Sequence, residues 1–148
     1  LDAVARERPG TGVALALGHD ARTPALAAWR DHAAAAHRTL REGHTGRYDG
    51  VYVVRAAAEV ATHPGRLDTV ARLCRDFRAP EPTTLVVGEG VAAVAAVERG
   101  AADAASALAD DFGGDDGAWT GDAERAVVRF DADAPEAELI AAVREVST

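Results

Sequence analysis

Apolar positions recur at two spacings along the chain, every three to four residues and every second residue, and this divides it into helices and strands. Leu26, Trp29, Ala33, Ala36 and Leu40 lie at helical spacing. Thr23-Pro24 ahead of them reads as an N-cap followed by proline in the first helical position. A helix is therefore predicted from about 24 to 42, ended by Gly43 and Gly46. Upstream, Arg6 to Gly12 reads as a loop broken by Pro and Gly, and Val13 to Leu17 as a strand or a turn of helix. Val51 to Val54 and Thr83 to Val87 have the composition of buried strands. Between them, His63-Pro64-Gly65 reads as a turn, and Leu67, Val70, Ala71, Cys74 and Phe77 form a helical stripe. Two strands joined by such a crossover make a right-handed parallel unit.

The second half is built from shorter pieces. Val91 to Val97 stays ambiguous, because its alanines favour helix while its length and flanking glycines favour strand. Ala101 to Asp111 reads as a helix stopped by Gly113-Gly114, Asp115 to Asp122 as an acidic loop carrying Trp119, and Ala126 to Phe130 as a strand. Asp133 and Glu136 have capping-box spacing ahead of the stripe Leu139, Ile140, Val143 and Val146. The class is α/β: a mixed sheet of about four to five strands covered by helices, with a long N-terminal connector helix. The division expected is a helical connector at 1–47 and an α/β domain at 48–148.

Composition narrows the function classes. The 148 residues suit one domain, and no run approaches a membrane span or a signal leader. An opening at Leu1 and the lack of any Met point to a piece of a longer chain. Lys, Asn and Gln are absent, so all 16 basic residues are Arg against 24 acidic ones, a net charge of −8. That balance does not favour a polyanion partner, and a nucleic acid would have to meet a local Arg cluster. The single cysteine, Cys74, excludes a disulfide framework and suits a reducing cytoplasm; on an apolar stripe it reads as a buried, inert thiol.

Candidate chemistry has bland counterparts. His19-Asp20 is a ligand or acid–base pair, or a turn before the helix. A His with a Trp ten positions on resembles the opening of methylglyoxal synthases, but their Gly-Gly-Asp catalytic segment has no equivalent here. Asp31-His32 reads as a surface pair. Glu89-Gly90 and Asp131-x-Asp133, 42 positions apart, resemble the magnesium-binding pattern of TOPRIM domains, although Asp133 serves equally as a helix cap. The acidic residues Asp110, Asp111, Asp115, Asp116 and Asp122 bind a cation or form a solvated surface.

An ordered series of motifs runs the length of the chain. Leu1-Asp2-Ala3-Val4-Ala5-Arg6 is similar to the Ile-Asn-Ala-Ala-Gly-Arg segment that ends the catalytic domain of RecJ-like nucleases. His63-Pro64-Gly65 with Val70-Ala71 resembles their His-Pro-Gly motif and its helix, and Pro82 to Val87 their next strand. Arg99, in Val97-Glu98-Arg99-Gly100, falls where that family has Ser-x-Arg-Ser, and Gly113-Gly114 where it has Gly-Gly-His. The chain thus resembles the connector and DHH-associated C-terminal domain of the DHH phosphoesterase superfamily. Asp115 replaces the family histidine, and Val97 and Gly100 replace the two serines.

The resemblance implies the substrate-binding part of a single-strand-specific exonuclease, a hydrolase of DNA replication and repair. Manganese or magnesium would sit in an upstream domain, because the family's metal set, an Asp-x-Asp together with an Asp-His-His, is not present and this fragment would bind no metal itself. Arg99 would pair with a phosphate of single-stranded nucleic acid, Gly113-Gly114 would present backbone amides, and His63 would share their cleft. Plain counterparts are a surface salt bridge for Arg99 and a helix stop for the glycines. The alternative from another class is a catalytically degenerate scaffold that binds replication-complex proteins.

Overall fold

A computed structural model describes residues 1–147, apart from the side chain of Asp116. Three helices come first: α1 (Asp2–Glu7), α2 (Pro9–Ala16) and the 21-residue α3 (Arg22–Glu42). Strands β1 (Thr45–Tyr48) and β2 (Val51–Arg55) form a hairpin, so the sheet begins inside the segment expected to be connector. Helices α4 (Ala58–Ala61) and α5 (Pro64–Phe77) lead to β3 (Thr83–Val87) and β4 (Val91–Ala96). Then come α6 (Ala101–Phe112), a 3-10 turn at Gly114–Asp116, β5 (Ala118–Gly121), β6 (Arg125–Arg129) and α7 (Glu136–Ser147).

The sheet has six strands in the order β1-β2-β3-β4-β6-β5. Only β2 and β3 pair in parallel, with Val53 opposite Leu85; the other neighbours are antiparallel. Residues alternate cleanly between the faces. Val51, Val53, Leu85, Ala92, Val94, Ala126 and Val128 pack under α6 and α7. Val54, Val86, Val91, Ala93 and Ala95 pack under α5 and α3. Both faces are covered, which is why the central strands read as continuous apolar runs. No helix among the described residues is long and apolar enough to cross a membrane.

Several expectations are corrected. The sheet has six strands rather than four to five, and Val91–Ala96 is a strand in its centre. Its alanines let helices approach from both sides, so tertiary packing overrides their weak strand preference. Between Arg6 and Gly12 only Arg8 is non-helical: Arg6 and Glu7 end α1, Pro9 opens α2, where its missing N–H costs nothing, and a Cβ on Gly12 would lie 3.1 Å from the Ala5 Cα, tighter than an ordinary contact. Helix α3 starts at Arg22, so Thr23 lies in its first turn and Ala21 is an N-cap without a side-chain bond. The buried stripe of α3 is Ala25, Ala28, His32, Ala35, Ala36 and Thr39, rotated from the predicted one, and Trp29 is 51% exposed. His32 is buried at 2% exposure, not a surface residue. Phe77 ends α5 at 81% exposure instead of packing inward. Trp119 lies on edge strand β5, opposite Val128, rather than in a loop. Helix α7 begins at Glu136, past the expected capping box, and Glu136 pairs with Arg55 Nε at 2.8 and 3.0 Å.

Candidate functional site

Charged residues from three distant parts of the chain meet where the end of α1 lies against the first turns of α5. Asp68, almost fully buried, accepts from two guanidiniums. Arg125, at the start of β6, grips it with Nε on Oδ1 at 3.1 Å and Nη2 on Oδ2. Arg6 Nη1 donates to Oδ2, while Arg6 Nε reaches the exposed Asp2 of its own helix at 3.1 Å. Burial works against the Arg6 charge, but Asp68 and Asp2 hold its pKa above the ordinary value. Gly65 makes this approach possible, because a Cβ there would lie 2.9 Å from the Arg6 Cβ. The two arginines open onto a cavity of about 400 Å³ that Pro64, Thr120 and Asp122 also line. Asp122 Oδ1 is engaged by the N–H groups of Glu124 and Arg125, at 2.9 and 3.0 Å.

Next to Arg6, the Glu7 carboxylate is the hub of a second cluster. Oε1 accepts from Arg66 Nε at 2.6 Å and from His32 Nδ1 at 2.8 Å. Oε2 accepts from Arg66 Nη2 at 3.1 Å and faces His63 Nε2 at 3.2 Å. The carboxylate thus accepts three hydrogen bonds and faces a fourth group, the His63 ring. Burial pushes the Glu7 pKa up, but the bonds from Arg66 and His32 and the charges of His63 and Arg66 outweigh it and lower it to about 2. His32 completes the cluster by accepting through Nε2 from the Thr69 hydroxyl at 2.7 Å.

The residues singled out in the sequence are distributed over both ends of the sheet. His63 is the N-cap of α5, its Nδ1 accepting from the Arg66 N–H at 3.4 Å, so both ring nitrogens are engaged within the fold. Arg99 is exposed just after β4, beside Pro82, Val97 and Val146. That is the end of β4 where Ala96 N–H bonds Glu124 O, so Arg99 shares an end with the Arg125 turn. Gly113-Gly114 lies at the other end, where Asp131 N–H bonds Phe112 O and Val91 faces Arg129. Six residues of strand, roughly 17 Å, separate the two, and Arg99 is not brought to the glycines. Backbone bonds from Glu89 to Ala61 and from Phe130 to Gly90 set the segment before His63 at the glycine end.

The other candidates are also resolved. Among the described residues, no group of three or more His, Cys, Asp or Glu side chains could hold a metal ion. Glu89, Asp131 and Asp133 are each exposed and do not form the TOPRIM-like set. The side chain of Asp116 lies outside the described residues. Cys74 is buried, and desolvation pushes its thiol up to about 11.

Residues 43–145 match the family model described as "Uncharacterized protein rrnAC1427, C-terminal domain". The chain belongs to this family. The rrnAC1427 protein of Haloarcula marismortui is 52% identical over 147 residues, 98% of this chain and 37% of that protein. The chain thus spans little more than a third of the curated relative it matches. Among solved structures, RecJ from Thermus thermophilus in complex with Mn2+ overlays 99% of the chain and 23% of that structure, at 18% identity and a TM-score of 0.67. An exonuclease RecJ bound to manganese overlays 93% and 36%, at 18% identity and a TM-score of 0.60. The rrnAC1427 C-terminal domain, with the helices that precede it, therefore shares its fold with part of RecJ.

Arg6, Glu7, His32, Asp68 and Arg125 were not picked out by sequence reasoning. Arg6 carried a signal, since it ends the segment that resembles Ile-Asn-Ala-Ala-Gly-Arg. Asp68 and Arg125 carried none, because 57 residues separate them.

Proposed function

We propose that this chain is the substrate-binding part of a RecJ-like exonuclease of the cytoplasm that hydrolyses single-stranded nucleic acid, with manganese or magnesium held elsewhere in the whole protein. The observation that carries the reading is the fold shared with RecJ along nearly the whole chain, from the connector helices to α7. The arginines support it. Arg6 and Arg125 together share one buried carboxylate, Asp68, and still have Arg6 Nη2 and Arg125 Nη1 to offer an anion at the cavity. Exposed Arg99, at the same end of the sheet, would take a further phosphate; an arginine fork binds two phosphate oxygens at once. The amides of Gly113-Gly114 would meet the strand separately, at the other end. In this reading His63 contributes by shaping the start of α5.

The test is hydrolysis by the full-length protein with manganese, on single-stranded and duplex oligonucleotides. The reading expects single-strand hydrolysis by the whole protein and none by residues 1–148 alone. Neither hydrolysis nor binding of single strands by the whole protein would overturn it. Tight binding without hydrolysis favours a degenerate scaffold of a replication complex, a reading supported by Asp115 standing in place of the family histidine.

A further inference from the structure

We infer that Glu7 is a positioning residue: it seats the end of α1 on the first turns of α5 and so holds Arg6 over the cavity. The binding part of this inference rests on the phosphate reading of that cavity; the seating part does not. Glu7 joins three elements, reaching from α1 to His32 on α3 and to His63 and Arg66 at the start of α5. Arg66 continues the join by donating to the Glu59 carbonyl at 3.2 Å. Such a carboxylate is hard to replace, since neutralising it leaves the half-buried Arg66 guanidinium without its charged partner.

His63, Pro64 and Gly65, the N-cap and first two residues of α5, are the receptor for this seat. His63 Nε2 faces Glu7 Oε2 at 3.2 Å, while Nδ1 lies 3.4 Å from the Arg66 N–H at the start of α5. Pro64 starts the helix at N1, where proline fits. Gly65 leaves the space that the Arg6 side chain fills. Each of these three residues thus serves the docking of Arg6-Glu7. Arg6 lies in the last turn of a helix of only six residues, which α2 and α3 flank. Without the Glu7 interactions Arg6 would be held over the cavity only by Asp68 and by Asp2 of its own helix.

The experiment uses the full-length protein with Glu7→Gln, Arg6→Ala, the double variant and Gly65→Ala, which disturbs the seat while keeping every charge. Hydrogen exchange reads the seat. Amides closing α1 (Ala5 and Arg8) should exchange at least tenfold faster in Glu7→Gln and Gly65→Ala, while β3 and β4 keep their protection. Nitrogen-15 shifts of His63 should change in Glu7→Gln. Affinity for a single-stranded oligonucleotide reads the positioning. Glu7→Gln should weaken it about as much as Arg6→Ala, and the double variant should be no weaker than Arg6→Ala. Unchanged α1 exchange in both seat variants overturns the inference. A loosened α1 with Glu7→Gln binding like the wild type, while Arg6→Ala binds poorly, overturns the positioning role. A loosened α1 with normal binding in all variants overturns the phosphate reading of the cavity and supports the seat alone.

Discussion

At the residue scale, the two carboxylates near the end of α1 carry most of the polar energetics that link the connector to the α/β domain. Glu7 titrates near 2 in the folded protein, against 4.5 for an ordinary Glu, so the fold favours its charged form. Its contribution is complete above pH 4.5 and is lost as pH falls toward about 2. At full strength it is on the order of 3 kcal/mol. The groups facing it are His32, His63 and Arg66. Denaturant unfolding of wild type and Glu7→Gln across pH 2 to 7 checks this: the difference should be largest near neutrality and shrink steadily below pH 4.5. A pH-independent difference would contradict it. None of this was legible in the sequence. Asp31-His32 reads as a surface pair because the polar character of His32 outweighs its place in the helical period. Its burial depends on Glu7 and Thr69, which only the fold brings to it.

At the element scale, legibility followed periodicity. Strands buried on both faces, β2 and β3, were readable to within a residue, as was α6, while α5 was readable from its apolar stripe but starts at Pro64, inside the segment read as a turn. Elements stabilised mainly by neighbours were not. Helix α2 has glycines where intrinsic preference opposes a helix, and its close packing on Ala5 decides. Edge strand β5 is four residues long and exposed throughout, so no alternation of buried and exposed positions marked it. On β3 the hydroxyl of Thr84 is buried with no partner among the described residues. Replacing it by Val keeps the branched shape that strands favour and removes an unsatisfied donor. Thr84→Val should raise stability by about 1 kcal/mol, read as a higher denaturation midpoint with an unchanged m-value. A fall in midpoint would mean that the hydroxyl is satisfied.

At the scale of the whole molecule, 24 acidic residues against 16 arginines leave a surface that repels itself. Salt screens such repulsion, so Tm should rise as sodium chloride increases from low to near-molar concentration. A falling Tm would mean that the clusters around Asp68 and Glu7 outweigh the net charge. The same negative balance makes local arginines decisive for any nucleic-acid partner. The motifs that carried the family resemblance were legible because they are local in sequence. Which of them share an end of the sheet was not, since β4 and β6 set that by pairing Ala95 with Arg125 and Val91 with Arg129. The central claim, that this domain grips the phosphates of a single strand, is tested most directly at Arg99, which is exposed and can be changed without disturbing the core. Binding of single-stranded oligonucleotides of two unrelated sequences to the full-length protein should be titrated at several salt concentrations, for wild type and Arg99→Ala. The account predicts an equal fall in affinity for both sequences, because phosphate contacts carry no base information. It also predicts a log–log salt slope shallower by about 0.7, the share of a single phosphate that Arg99 no longer neutralises. Unchanged affinity and slope in Arg99→Ala would contradict it.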